Sequence, residues 1–161
     1  MRRLLLGSVW IKFDSLSICL SKGLGTPMGS VLCGSRELIK EARKYRKMLG
    51  GGMRQAGIVA AAGLYALDNN IERLADDHVN AQLLATELAQ IDGIELVTVN
   101  TNMLFIKVAH GYAELREALF SQGIIFPKTA NKAGLIRLAT HLDVSHSDIL
   151  RVVTEIKQLM R

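Results

Sequence analysis

Polar and apolar residues alternate from Ser15 to Leu20, the period-two signature of a strand with two unlike faces. A second short apolar stretch, Gly29 to Cys33, predicts a partner strand. Gly23, Gly25, Thr26, Pro27 and Gly29 predict the turn that joins them. Ser35 then reads as an N-cap, and Leu38 with Ile39 opens an amphipathic helix. Gly50-Gly51-Gly52 stops it. From Gln55 through the small residues Ala60-Ala61-Ala62-Gly63 to about Asp68 the chain reads as a second helix. Asn69-Asn70 is a brief irregularity, and helical periodicity resumes at Ile71, Leu74, His78, Ala81, Leu84, Ala85 and Leu88. Asp92-Gly93 ends this stretch, which is long enough to connect two lobes.

From Ile94 the period changes. Ile94–Val97 and Met103–Val108 read as strands around Asn100-Thr101-Asn102. Tyr112–Gln122 reads as a helix with Gly123 at its C-terminal end. Ile124–Phe126 and Leu135–Leu138 predict two more short strands. Ser145 caps a closing helix with Ile149, Val152, Val153, Ile156 and Leu159 on one side. The pattern predicts an α/β class, with a small α/β sandwich attached to the end of something larger. No repeat or low-complexity tract interrupts it.

Composition narrows the function classes. Apolar residues make up 49% and charged residues 22%, which suits a packed globular chain and excludes a disordered one. No run of about 18 apolar residues is present, so no membrane span is expected. Arg2 and Arg3 precede an apolar stretch, Leu4 to Ile11, that imitates a signal peptide, but no small-x-small cleavage site follows Lys12. Residues 1–12 read instead as a loosely packed leader or an apolar strand remnant. Cys19 and Cys33 fall inside the two strand candidates and are expected as buried free thiols in a reducing cytoplasm. They form no C-x-x-C pair and no histidine cluster stands near them, so no metal site is expected. The net charge of +5 is local: Arg36 to Arg54 holds seven basic residues against two acids, and the remainder is balanced. Such a helix suits an anionic ligand or a solvated face. With Tyr45 as its one aromatic, it makes a poor nucleic-acid module.

The sharpest chemical signal is Ser21-Lys22-Gly23-Leu24-Gly25. A lysine at a strand end, beside glycines that let the backbone turn, suits Schiff-base chemistry with pyridoxal phosphate. Partial burial is expected to help it lose its proton. Arg137 lies in the apolar stretch Leu135-Ile136-Arg137-Leu138, where a planar guanidinium can grip a carboxylate through two parallel bonds or enter an internal salt bridge. Lys47 and Arg54 flank the triglycine, an arrangement that suits an anion site or a solvated interface. Ser21 and Thr26 carry hydroxyls in the same turn as Lys22. His141 follows Arg137 closely, whereas His78, His110 and His146 read as structural, and none has metal-ligand spacing.

Phe13 to Pro27 reads FDSLSICLSKGLGTP and continues MGSVLCGSRELIKEARKYRKMLGGGMRQAG. With Leu64-Tyr65-Ala66-Leu67, Thr101-Asn102-Met103-Leu104-Phe105 and Arg137-Leu138-Ala139-Thr140-His141-Leu142-Asp143, this resembles the low-specificity L-threonine aldolases. These are pyridoxal-phosphate enzymes of the aspartate-aminotransferase-like fold, and the resemblance covers Phe13 to Arg161. It implies the C-terminal part of a fold-type I PLP-dependent transferase fold. Residues 1–12 would be a non-matching leader, 13–92 the end of the large domain with a connecting helix, and 93–161 the small C-terminal α/β domain.

The resemblance implies roles as well. Lys22 would be the cofactor lysine, Arg137 the arginine for the substrate α-carboxylate, and Lys47 and Arg54 groups near the cofactor phosphate, reached from a neighbouring subunit. The reaction implied is cleavage of L-threonine or L-allo-threonine to glycine and acetaldehyde, in a cytoplasmic homo-oligomer that is tetrameric in the intact family. Neither nucleic acid nor membrane is an expected partner; a small amino-acid substrate is. The histidine that sandwiches the ring, the aspartate that pairs with the pyridine nitrogen and the glycine-threonine phosphate turn belong to the first half of such a subunit, which these residues do not match. Independent activity of the chain is therefore expected to be poor. The alternatives are a catalytically inactive truncated or subunit-pairing remnant, and a basic α/β binding module.

Overall fold

The computed structural model describes residues 12–128 and 134–160. The expectations for residues 1–11 lie outside the described residues. Two compact units divide at Ile71 and Glu72.

In the first unit, β1 (Ser15–Cys19) and β2 (Ser30–Gly34) pair antiparallel, with Ser15 opposite Gly34 and Cys19 opposite Ser30. That register sets Cys33 opposite Leu16, on the other face of the ribbon from Cys19, so the two thiols stay free. Helix α1 (Arg36–Met48) starts where the Ser35 hydroxyl accepts from the Leu38 N–H at 3.2 Å. It buries no residue, and its basic face stays exposed. It ends in a Schellman turn: Gly51 N–H donates to Arg46 O, Gly50 N–H donates to Lys47 O, and Gly50 takes φ +83. Helix α2 (Gly57–Asn69) buries two small residues, Gly63 and Ala66. A Cβ at Gly63 would lie 3.3 Å from Leu20 Cδ1, so the glycine is what lets the helix approach the end of β1.

The second unit begins with α3 (Leu74–Leu88), then β3 (Ile94–Asn100), β4 (Met103–Val108), α4 (Tyr112–Ser121), β5 (Ile136–Ala139) and α5 (His146–Leu159). The strands form one antiparallel sheet in the order β3-β4-β5, with a bulge between Leu96 and Thr98. One sheet face supplies Leu104, Ile106, Ile136 and Leu138 to a core shared with Leu84, Leu88, Leu119, Ile149, Val153 and Ile156. Each fully buried aliphatic side chain contributes roughly 1.5–3 kcal/mol. The other face carries Met103, Phe105, Arg137 and Ala139, as period-two alternation requires.

Two expectations change here. The stretch 55–88 is two helices, because Asn70 closes the first on Ala66 O and turns its side chain to Leu24 O at 2.8 Å. The second of them, α3, packs in the core of the second unit, whereas the sequence reading groups it with the first. Ile124–Phe126 has no strand partner among the described residues: Ile124 and Phe126 are buried, Ile125 is exposed, and the Ile124 N–H closes the end of α4 on Leu119 O. The Tyr112 hydroxyl donates to Pro127 O at 2.7 Å and holds that segment in place.

Candidate active site

Lys22 stands three residues past β1, in a tight turn, and not on the strand itself. The Gly25 N–H donates to Lys22 O at 2.8 Å, and Gly25 takes φ +72, a conformation that costs other residues about 1–2 kcal/mol. Thr26 N–H returns to Leu20 O, and Leu20 N–H to Gly29 O, so the turn is closed at both ends. From outside it is held by Asn70 on Leu24 O and by Leu20 against Gly63. Lys22 thus rides on a fixed loop while its side chain is exposed, with no hydrogen bond or ion pair to any described residue. The expected partial burial is absent, because the turn projects from the end of a two-stranded ribbon.

The surrounding polar groups have partners of their own. Thr26 is buried, and its hydroxyl donates to Met28 O at 3.2 Å. The Ser21 hydroxyl sits 3.5 Å from Cys19 Sγ. Hydrogen bonds with the Ser21 side chain and backbone hold the Cys19 thiol below its ordinary 9.0, with Ser30 and the Lys22 charge acting in the same direction.

Lys47 is exposed at the end of α1, with its stem laid over the triglycine. A Cβ on Gly52 would come within 2.6 Å of Lys47 Cδ and 3.0 Å of its Nζ. Glycine at 52 therefore leaves room for this lysine to lie along the turn. Arg54 is exposed two residues on.

In the second unit, Arg137 is exposed on the outer face of β5, opposite Phe105 of β4. The cost of burying a charge in an apolar strand does not arise, because Ile136 and Leu138 take the core positions on either side. Its guanidinium has no ion pair or hydrogen bond to any described residue, so the internal salt bridge is not formed among them. Arg137 lines a cleft of about 480 Å³ together with Ile124, Phe126, Leu138, Asp143 and Val152. His141 faces Asp143, with Nδ1 3.3 Å from its N–H and 3.6 Å from its carboxylate. His78, His110 and His146 are exposed. Among the described residues no three His, Cys, Asp or Glu side chains are grouped to hold a metal ion, and no helix is long and apolar enough to cross a membrane.

A polar network escaped the sequence reading. The Asp77 carboxylate, 1% exposed, receives two bonds from Arg73, at 2.5 and 3.2 Å. That bond raises the Arg73 pKa further above its ordinary value. The Thr140 hydroxyl donates to Asp77 O at 2.6 Å, and Asn80 Nδ2 to Val144 O at 3.2 Å. The i, i+4 spacing of Arg73 and Asp77 was the one available sign.

These features match a family by sequence. A model described as beta-eliminating lyase matches residues 7–110, more than half of the chain. The chain belongs to the beta-eliminating lyase family. It is 49% identical over 140 residues to the low specificity L-threonine aldolase of Escherichia coli K12, covering 86% of this chain and 40% of that protein. Among solved structures it is similar to a candidate L-allo-threonine aldolase from Listeria monocytogenes, with a TM-score of 0.75 at 17% identity over 91% of this chain and 44% of that one. It is also similar to a C-DES mutant with glycine covalently linked to its PLP cofactor, with a TM-score of 0.51 at 18% identity over 63% of this chain and 28% of that one. The fold of this beta-eliminating lyase family chain is that of part of a fold-type I PLP enzyme. The chain spans about 40% of the length of the relative from Escherichia coli.

Proposed function

We propose that this region belongs to a pyridoxal-phosphate-dependent aldehyde-lyase that cleaves L-threonine or L-allo-threonine to glycine and acetaldehyde, and that it is the C-terminal portion of that fold. The observation that carries the reading is Lys22. It is an exposed lysine without a partner among the described residues, on a turn locked by Gly25, Asn70 and Gly63. A primary amine so placed fits the cofactor's aldehyde: it is held by backbone, it is open, and no described ion pair must be broken to free it. Lys22 would hold the cofactor through Nζ, and Lys47 and Arg54, exposed beside the triglycine turn, would offset its phosphate charge.

When bound, pyridoxal phosphate supplies an electron sink for the charge left at Cα as the Cα–Cβ bond breaks. The chain's own residues do the positioning. Arg137 offers a free fork to the α-carboxylate, which fixes the substrate at one end. The open face of β5 leaves that fork accessible. Lys22 Nζ, held at the turn, would be placed to move a proton at Cα. The exposed apolar surface of the first unit supports assembly with further copies.

The test is spectroscopic and chemical together. Titration of the chain with pyridoxal phosphate is expected to produce a near-ultraviolet or visible band that Lys22→Ala lacks, and acetaldehyde release from L-threonine is expected only where that band forms. An equal band and equal release in Lys22→Ala would contradict the reading.

A further inference from the structure

Two stretches that the sequence singles out, Thr101-Asn102-Met103-Leu104-Phe105 and Arg137-Leu138-Ala139-Thr140, lie side by side in the structure. They are the facing parts of β4 and β5, with Phe105 opposite Arg137 and Met103 opposite Ala139. Strand β5 has only four residues and lies at the edge of the sheet. A slip of one residue would turn Arg137 into the core and Ile136 out to solvent. The ladder itself ends at Ala139.

One step beyond it, Asn102 and Thr140 close a two-bond ring. Thr140 N–H donates to Asn102 O at 2.9 Å, and Asn102 Nδ2 donates to Thr140 O at 2.8 Å. The side-chain amide of Asn102 takes the place of a backbone N–H and extends the pairing by one position. Thr140 is 1% exposed, so a lost partner there leaves a buried group unpaired. Its hydroxyl is committed elsewhere, to Asp77 O of α3 at 2.6 Å. Asn80, one turn along α3, donates to Val144 O and ties down the far end of the same loop. The start of β4 and the helix α3 thereby grip the end of β5, three residues from Arg137.

We infer that Asn102 and Thr140 are positioning residues for Arg137: they set the register and reach of the guanidinium that receives the substrate carboxylate. This rests on the proposed role of Arg137. Neither residue touches substrate; each acts through the strand.

The test uses the chain loaded with pyridoxal phosphate, in four variants: Asn102→Ala, Thr140→Val, Thr140→Ser and Arg137→Ala. Asn102→Ala and Thr140→Val are expected to raise KM for L-threonine about tenfold, the scale of loss from a sub-ångström to ångström misplacement. kcat should stay within twofold and the cofactor band should not move. Thr140→Ser, which keeps the hydroxyl donor, should restore KM. A clamp that only stabilised the fold would lower kcat through lost folded protein and leave KM alone, and that result overturns the inference. Amide hydrogen exchange gives a second measure: the Thr140 N–H faces Asn102 O, so alternation sets the Leu138 and Thr140 amides against β4; both should exchange at least tenfold faster in Asn102→Ala, and unchanged protection overturns the inference. An unchanged KM in Arg137→Ala counts against the carboxylate reading itself. Where turnover of the unmodified chain is too low to give a KM, hydrogen exchange decides the clamp.

Discussion

Arg137 and Asp77 are both charged groups near the core of the second unit, and alternation and helix phase send them to opposite fates. Arg137 follows Ile136 and precedes Leu138, so the strand points it outward, where it stays exposed and has no partner among the described residues. Asp77 falls on the inner face of α3 and is satisfied by Arg73 one turn earlier. If Arg137 grips a carboxylate, Arg137→Ala should raise KM by roughly ten- to a hundredfold, the equivalent of about 1.5–3 kcal/mol for a hydrogen bond to a charged group. Arg137→Lys should recover only part, since an ammonium lacks the fork; steady-state kinetics measure both. Arg73→Met should instead unfold more easily, by about 3–5 kcal/mol, because it strands a buried carboxylate. A melting temperature unchanged by that substitution would show that the pair is dispensable. Lys22 and Arg137 stand out in the sequence because each departs from its neighbours' pattern, and the structure leaves both exposed. Asp77, Asn102 and Thr140 do not stand out, since small polar residues that find partners only after folding leave no local mark.

Helix ends were the most legible elements. Ser35, Ser145 and the triglycine all stand where caps are needed, and each makes cap hydrogen bonds. At Ser145 the box is reciprocal: its hydroxyl accepts from Asp148 N–H, and the Asp148 carboxylate accepts from Ser145 N–H at 2.9 Å. The Ser145 hydroxyl also donates to the Asp148 carboxylate at 2.6 Å, and this bond first, with the Ser145 N–H second, holds the Asp148 carboxyl below its ordinary 3.8. A lowered folded-state pKa means that the cap's contribution is fully present above the unfolded value and is lost as pH falls through the folded one. The gap in melting temperature between the unmodified chain and Asp148→Asn should therefore persist at neutral pH and close in acid below 3.8. A gap that widened in acid would contradict the cap. Gly50→Ala should cost about 1–2 kcal/mol by forcing a side chain into φ +83, read by thermal melting. Short apolar runs were less legible. Ile124–Phe126 buries its first and third residues as a strand would but finds no strand partner among the described residues, where Tyr112 holds its end at Pro127 and the helix takes the Ile124 N–H. Sequence period records which side is buried, not whether a neighbouring strand is within reach.

At the scale of the whole molecule, the α/β class and the small sandwich were readable from the change of period at Ile94. The place of α3 was not, since its apolar stripe fits either unit until the sheet is formed. The first unit leaves Val31, Leu32, Ile58, Leu64 and Tyr65 substantially exposed, and α2 is apolar nearly all round. The chain is therefore expected to sediment as dimers or larger species; a monodisperse monomer would show that these surfaces are tolerated in water. The central claim is narrower, that Lys22 is the residue that holds pyridoxal phosphate. Borohydride reduction of the chain with the cofactor, followed by peptide mapping, tests it most directly. The account predicts a pyridoxyl group on Lys22 and on no other lysine at comparable yield, and label on Lys47 or spread over surface lysines, with Lys22 unmodified, would contradict it.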